Sequence, residues 1–71
     1  MTLGESVRKY RELRGWTQSY LSDVSGINRN TLFLIEQDKV DPRFSTIEIL
    51  AGTFNVSVDE ITGFSERSRN I

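Results

Sequence analysis

The sequence predicts an all-α domain, a compact arrangement of five short helices, and three observations predict it. A helix-start signal recurs five times, and the first four are each followed by residues suited to ending a helix. Apolar residues fall three and four apart, and no alternating run bounded by hairpin turns interrupts them. Between Trp16 and Glu36 the same start signal is used twice, on either side of Gly26. That doubled unit is a helix-turn-helix formed by the second and third helices.

Taken in order, the first helix spans about 3–14 and opens on a capping box of Thr2 and Glu5. Leu3, Val7, Tyr10 and Leu13 line its inner face, and Gly15 ends it. The second, 18–25, is capped by Thr17. Trp16 before that cap meets Leu21 five positions on, which is a hydrophobic staple. Gly26 supplies the left-handed backbone that lets the chain leave at a steep angle. The third, 29–36, repeats the signal with Ile27, Asn28 and Leu32, and the Gln37-Asp38 turn stops it. Val40-Asp41-Pro42 breaks the chain, because the residue before a proline is pushed out of helical backbone. The fourth, 46–54, starts from a Ser45–Glu48 box, packs Ile47, Leu50, Ala51 and Phe54 inward, and stops at Asn55. The fifth, 58–62, starts from a Ser57–Glu60 box. Trp16, Leu21, Ile27, Leu32, Ile35, Phe44, Val56 and Ile61 complete one core. The domain is drawn as 1–64, with a polar C-terminal tail at 65–71.

Composition narrows the function classes. With 71 residues there is room for one domain. No cysteine and no histidine exclude disulfides and the usual zinc sites, and nothing points to any other metal or to a cofactor. Paired carboxylates in a recognisable catalytic setting are missing too, so an enzyme is the weakest class and no small-molecule substrate is evident. No apolar run approaches the roughly 20 residues of a membrane span, and no signal-peptide pattern opens the chain, so a cytoplasmic protein is expected. The net charge of −1 argues mildly against nucleic acid. It is uneven, however. Residues 1–43 hold seven Lys/Arg against six Asp/Glu, and residues 44–71 hold two against four. Only a local basic edge is needed to meet phosphates.

A short helix held crosswise on a small support, with its outer face free, has the shape that enters a DNA major groove. With Leu32 and Ile35 fixed inward, a rotation of about 100° per residue turns Asn30, Phe33, Leu34 and Gln37 outward, with Arg29 at the leading edge. Arg pairs with both guanine acceptors and Asn with adenine, so Arg29 and Asn30 are the candidate base contacts, set against the plainer reading of solvated residues at a helix start. Three accounts fit Phe33 and Leu34: apolar contact with thymine methyl groups, a protein partner, or a rotated helix in which Phe33 covers the core edge. The groove contact ranks first for Phe33 and Leu34 stays open. Gln18 opens the second helix, where free N–H groups attract a phosphate, although a plain first-turn glutamine fits as well. Lys39 and Arg43 flank the loop after the third helix, where cations either straddle a DNA backbone or are simply solvated. Arg11 and Glu36 are placed to pair at the junction of the first and third helices, a structural role.

The chain resembles the Cro and phage-repressor helix-turn-helix family, also called the xenobiotic-response-element family. The string that carries the likeness is Tyr10-Arg11, Trp16-Thr17-Gln18, Leu21, Gly26-Ile27-Asn28, Leu32, Ile35-Glu36, Pro42, Leu50-Ala51 and the run from Phe54 to Ile61. The resemblance implies a five-helix, phage-repressor-like domain that binds double-stranded operator DNA, commonly as a homodimer, to repress or activate transcription. It implies base contacts at Arg29, Asn30, Phe33 and Leu34 and backbone contacts at Gln18, Ser19, Thr31, Gln37, Lys39 and Arg43. It implies a dimer contact built on Val58, Ile61 and Phe64. Three residues depart from the pattern. Asp38 stands where the family usually has glycine, which implies a strained turn carrying a charge near the phosphates. Asp41 adds a second acid, and Ser22 replaces an alanine, its hydroxyl expected to bond back to its own helix. The alternative function is a protein-interaction module on the same scaffold, such as an antitoxin or adaptor.

Overall fold

A computed structural model describes residues 1–63 of the chain and contains five α-helices. These are α1 Leu3–Leu13, α2 Gln18–Ser25, α3 Arg29–Glu36, α4 Phe44–Phe54 and α5 Val58–Thr62. The expected domain edge at Phe64 and the polar segment 65–71 lie outside the described residues.

Local chemistry accounts for most of the boundaries. Thr2 and Ser57 cap α1 and α5 in complete capping boxes with Glu5 and Glu60. Thr17 Oγ1 accepts from the Tyr20 N–H at 3.0 Å, which starts α2. Asn28 Oδ1 accepts from Asn30 and Thr31, which starts α3. Gly26 and Asn55 close α2 and α4 in left-handed backbone.

One start differs from expectation. α4 begins at Phe44, not at 46, and the Ser45–Glu48 box does not form. The N-cap is Arg43, in extended backbone just after Pro42, and it makes no side-chain cap bond. Its carbonyl already accepts from Thr46 and Ile47, so the turn that Ser45 would have capped lies inside the helix. No side-chain cap therefore marks where the fourth helix starts.

The core is one cluster of Val7, Leu21, Leu32, Ile35, Leu50, Ala51, Phe54 and Ile61. Leu3, Tyr10, Trp16, Ile27, Ile47, Val56 and Val58 pack around it. Two expected core residues lie elsewhere. Leu13 is 71% exposed and Phe44 62% exposed. For Leu13 the reason is angular. The inward direction midway between Val7 and Tyr10 passes within about 10° of residue 14 and about 90° from residue 13. Arg14 takes that place, with its guanidinium 5.2 Å from the Phe54 ring centroid and 5.7 Å from that of Trp16, and it donates to the carbonyls of Tyr10 and Phe54. Phe44, in the exposed first turn of the lengthened α4, points to solvent.

α1 is the brace: it packs on α3, α4 and α5, while α2 packs on α3 and α4. Its approach to α3 depends on Gly4, where an added Cβ would collide with the Ile35 carbonyl and the Asp38 carboxylate. Glycine inside a helix costs about 1 kcal/mol relative to alanine, so its presence here marks that close approach.

The capping boxes make a pH-dependent contribution. Backbone and side-chain hydrogen bonds from Thr2 and Ser57 hold the Glu5 and Glu60 carboxyls below their ordinary value of 4.5. A depressed folded pKa stabilises the fold above the unfolded value, and that stabilisation is lost as pH falls through the folded pKa. Thermal melts should therefore show Glu60→Ala melting below the parent at pH 7, with the gap closing as pH drops below 4.5. A gap that is constant with pH would remove the box from the account.

Candidate nucleic-acid interface

α2 and α3 meet across a turn that the chain fixes at both ends. Gly26 has φ +77°, and its N–H reaches the Ser22 carbonyl at 2.8 Å. Ser22 Oγ donates to the Ile27 carbonyl at 2.6 Å rather than back into its own helix, as had been expected. Ser25 Oγ accepts from the Ile27 N–H. The residue that departs from the family's alanine thus ties the turn to α2.

α3 is then rotated by what it buries. Leu32 and Ile35 are fully inside, at 0% and 1% exposure. Arg29, Asn30, Thr31, Phe33 and Gln37 are exposed, and Leu34 is half-buried. With Leu32 and Ile35 inside, the helix is not rotated away from the expected register, and Phe33 is 46% exposed on its outer side. Arg29 and Asn30 sit in the first helical turn, uncovered. Arg29 Nη1 donates to Ser19 Oγ at 2.8 Å, bringing two expected DNA-contact residues together.

Behind α3 sits a buried ionic junction. The Glu36 side chain is 1% exposed and its carboxylate is held by a two-pronged Arg11 fork, Nε to Oε2 at 2.8 Å and Nη2 to Oε1 at 3.0 Å. Arg11 Nη1 reaches on to the Trp16 carbonyl at 2.8 Å. The same carboxylate accepts from Gln18 Nε2 at 3.2 Å and has a longer contact with Arg8 at 3.7 Å. The hydrogen bond to Glu36, more than burial opposes it, raises the Arg11 pKa and keeps the guanidinium charged. One acid on α3 therefore holds α1 and the first residue of α2. Gln18, expected to meet a phosphate, spends one amide N–H on this junction, while its backbone N–H stays at the start of α2.

The two acidic departures are resolved differently. Asp38 is in left-handed backbone, φ +57°, the conformation glycine supplies in the family pattern. Its carboxylate points to the start of α1, where Oδ2 accepts from Thr2 Oγ1 at 2.7 Å and Oδ1 from the Gly4 N–H at 3.0 Å. The expected stray charge near the phosphates is instead set against the positive end of the α1 dipole. Asp41 is exposed, as are Lys39 and Arg43 on the same loop. No group of acidic, histidine or cysteine side chains suited to a metal ion occurs among the described residues.

The proposed dimer face is only partly supplied. Ile61 is 0% exposed and belongs to the protomer's own core, so it has no surface to offer a second chain, a correction to its expected role. Val58 is half-buried against that core, and Phe64 lies outside the described residues.

Comparison with known proteins settles the family. A family profile described as helix-turn-helix matches residues 7–61, from the middle of α1 to the core residue of α5. The chain belongs to the helix-turn-helix family. This helix-turn-helix chain is 35% identical over 63 residues to the immunity repressor protein of Bacillus phage phi105, covering 89% of this chain and 44% of that repressor. It is 34% identical over 59 residues to the control protein C.SmaI of Serratia marcescens, covering 83% and 70%. The crystal structure of the restriction-modification controller protein C.AhdI from Aeromonas hydrophila superposes with a TM-score of 0.79 at 24% identity, over 83% of this chain and 89% of that one. The five-helix arrangement and the Cro and phage-repressor likeness read from the sequence are thereby borne out.

The junction yields a test. Arg11→Ala strands a buried carboxylate and should destabilise the helix-turn-helix fold by about 3 kcal/mol, since removing one partner of a buried pair costs far more than the pair contributes. Replacing both, as Arg11→Met with Glu36→Leu, should restore most of that loss in denaturant melts. A single variant as stable as the parent would contradict the geometry.

Proposed function

We propose that the chain is a sequence-specific DNA-binding transcriptional regulator of the repressor type, reading double-stranded operator DNA through the major groove. The observation that carries the reading is the bare outer face of α3, with Arg29 and Asn30 uncovered in its first turn while Leu32 and Ile35 anchor the opposite side. In this reading Arg29, Asn30 and Phe33 meet base edges, with Leu34 contributing its half-exposed edge. Ser19, Thr31, Gln37, Lys39, Arg43 and the start of α2 at Gln18 meet the DNA backbone. The names of the relatives, a phage immunity repressor and a control protein, support regulation as the role. This chain spans 44% of that repressor's length, so what the repressor does as a whole is carried here by proposal alone.

A homodimer follows from the same reading. Two copies would set their third helices about 34 Å apart, one turn of DNA. Val58 remains a candidate at that contact, and Ile61 does not. Among the described residues no helix is long and apolar enough to cross a membrane, which accords with work on DNA in the cytoplasm. The antitoxin or adaptor alternative needed an apolar docking face on α3. With Leu34 half-buried, Phe33 alone supplies the large exposed apolar surface there, which favours the groove.

Selection from a random duplex pool tests binding, sequence and symmetry together. It should recover an inverted repeat with half-sites about 10 base pairs apart. Arg29→Ala should then lose about 1–3 kcal/mol of discrimination at one base pair per half-site. Lys39→Ala should weaken all duplexes alike and flatten the slope of log affinity against log salt by about 1 per protomer. Recovery of no shared sequence, or binding indifferent to salt, would sink the proposal.

A further inference from the structure

We infer that Ser19, on the supporting helix, is a positioning residue for Arg29 and so governs which base pair the reading helix accepts. The inference rests on the groove-reading function proposed above and deepens it. Ser19 lies in the first turn of α2 and Arg29 in the first turn of α3, and their 2.8 Å hydrogen bond joins the two helix starts across the turn. The α2 turn that carries Ser19 is held by the Thr17 cap on one side and by buried Leu21 on the other. Of the three serines in α2, Ser22 and Ser25 are committed to Ile27 in the turn. Ser19 alone reaches α3.

The chemistry of the fork makes this bond consequential. A guanidinium carries five N–H groups, and Ser19 takes one, from Nη1. The edge formed by Nε and Nη2 has no partner among the described residues, and two adjacent N–H groups are what guanine O6 and N7 accept. Arginine is long and loses much rotamer freedom when it is fixed on a base. A side chain already leaned on α2 loses less at the moment of binding, and it presents one edge rather than sweeping over the neighbouring phosphates. Ser19 keeps its own O–H for a phosphate oxygen, a contact that cancels from a ratio of affinities, which leaves it two ways to act on base choice: through Arg29, or by a base contact of its own. A double-mutant cycle separates them.

The probe is the duplex recovered by the parent chain from a random pool, paired with the same duplex changed at the base pair whose preference disappears in Arg29→Ala. The quantity read is the ratio of affinities for the two. Ser19→Ala should lower that ratio by about 3–10-fold, the net worth of one ordinary intramolecular hydrogen bond. It should lower it no further in the Arg29→Ala background. Ser19→Thr, which keeps the hydroxyl, should restore the ratio, and melting temperatures should show each variant folded. An unchanged ratio in Ser19→Ala would overturn the inference, as would an equal drop in both backgrounds, which would assign Ser19 a base contact of its own. If the parent shows no preference at any base pair, the groove-reading function fails, and this inference with it. If Arg29→Ala loses discrimination while Ser19→Ala does not, only the present inference fails.

Discussion

The geometry of this domain depends on one buried carboxylate. Glu36 ends α3 inside the protein, gripped on two oxygens by Arg11 of α1 and touched by Gln18 of α2. A charge so placed tolerates little movement, because any rotation that breaks a hydrogen bond leaves it desolvated and unpaired. Such a pair adds little net stability over a well-packed apolar substitute. What it contributes is angle. Three helices meet at fixed positions, and Leu32 and Ile35 complete the constraint by filling the core from the same helix.

The other end of the α1–α3 contact is fixed by different chemistry. Gly4 removes the side chain that would hold the helices apart, and Asp38 turns back to bond Thr2 and the Gly4 N–H. α3 is thus held to α1 at both Glu36 and Asp38, by a salt bridge and by a cap. The result is a short helix with a rigid back and an unobstructed front. Charge follows the same division. Glu36 is buried and the exposed Asp38 is tied to the start of α1, whereas Arg29, Lys39 and Arg43 are exposed. The −1 net charge of the whole chain therefore says little about the field at that front.

Much of this was legible in the residues because caps and staples are local. Thr2–Glu5, Thr17, Asn28, Gly26 and Ser57–Glu60 act over three to five positions, and each is found where the sequence put it. The Arg11–Glu36 pair was legible from position alone. What escaped is what depends on the third dimension. Ser45–Glu48 has the letters of a capping box, but the backbone is already helical from Phe44, with the Arg43 carbonyl accepting from Thr46 and Ile47. Leu13 looked like core until Arg14 proved to share the angle of Val7 and Tyr10 and to lie over three rings. Ile61 satisfied two expectations at once, core and dimer contact, and a fully buried side chain meets only the first. Asp38 at a glycine position looks like a liability in the sequence, since nothing along the chain reveals that its carboxylate caps a helix 34 residues earlier.

A reading helix held this way fixes where DNA must touch, and resonance shifts can map it. Titrating the isotope-labelled chain with the duplex it selects should move the backbone amides of residues 17–19, 29–33 and the loop 39–43 most, and leave the outer side of α4 near Ile49 and Gly52 almost still. The largest shifts gathered on α4 and α5, with Arg29 and Asn30 unmoved, would contradict it.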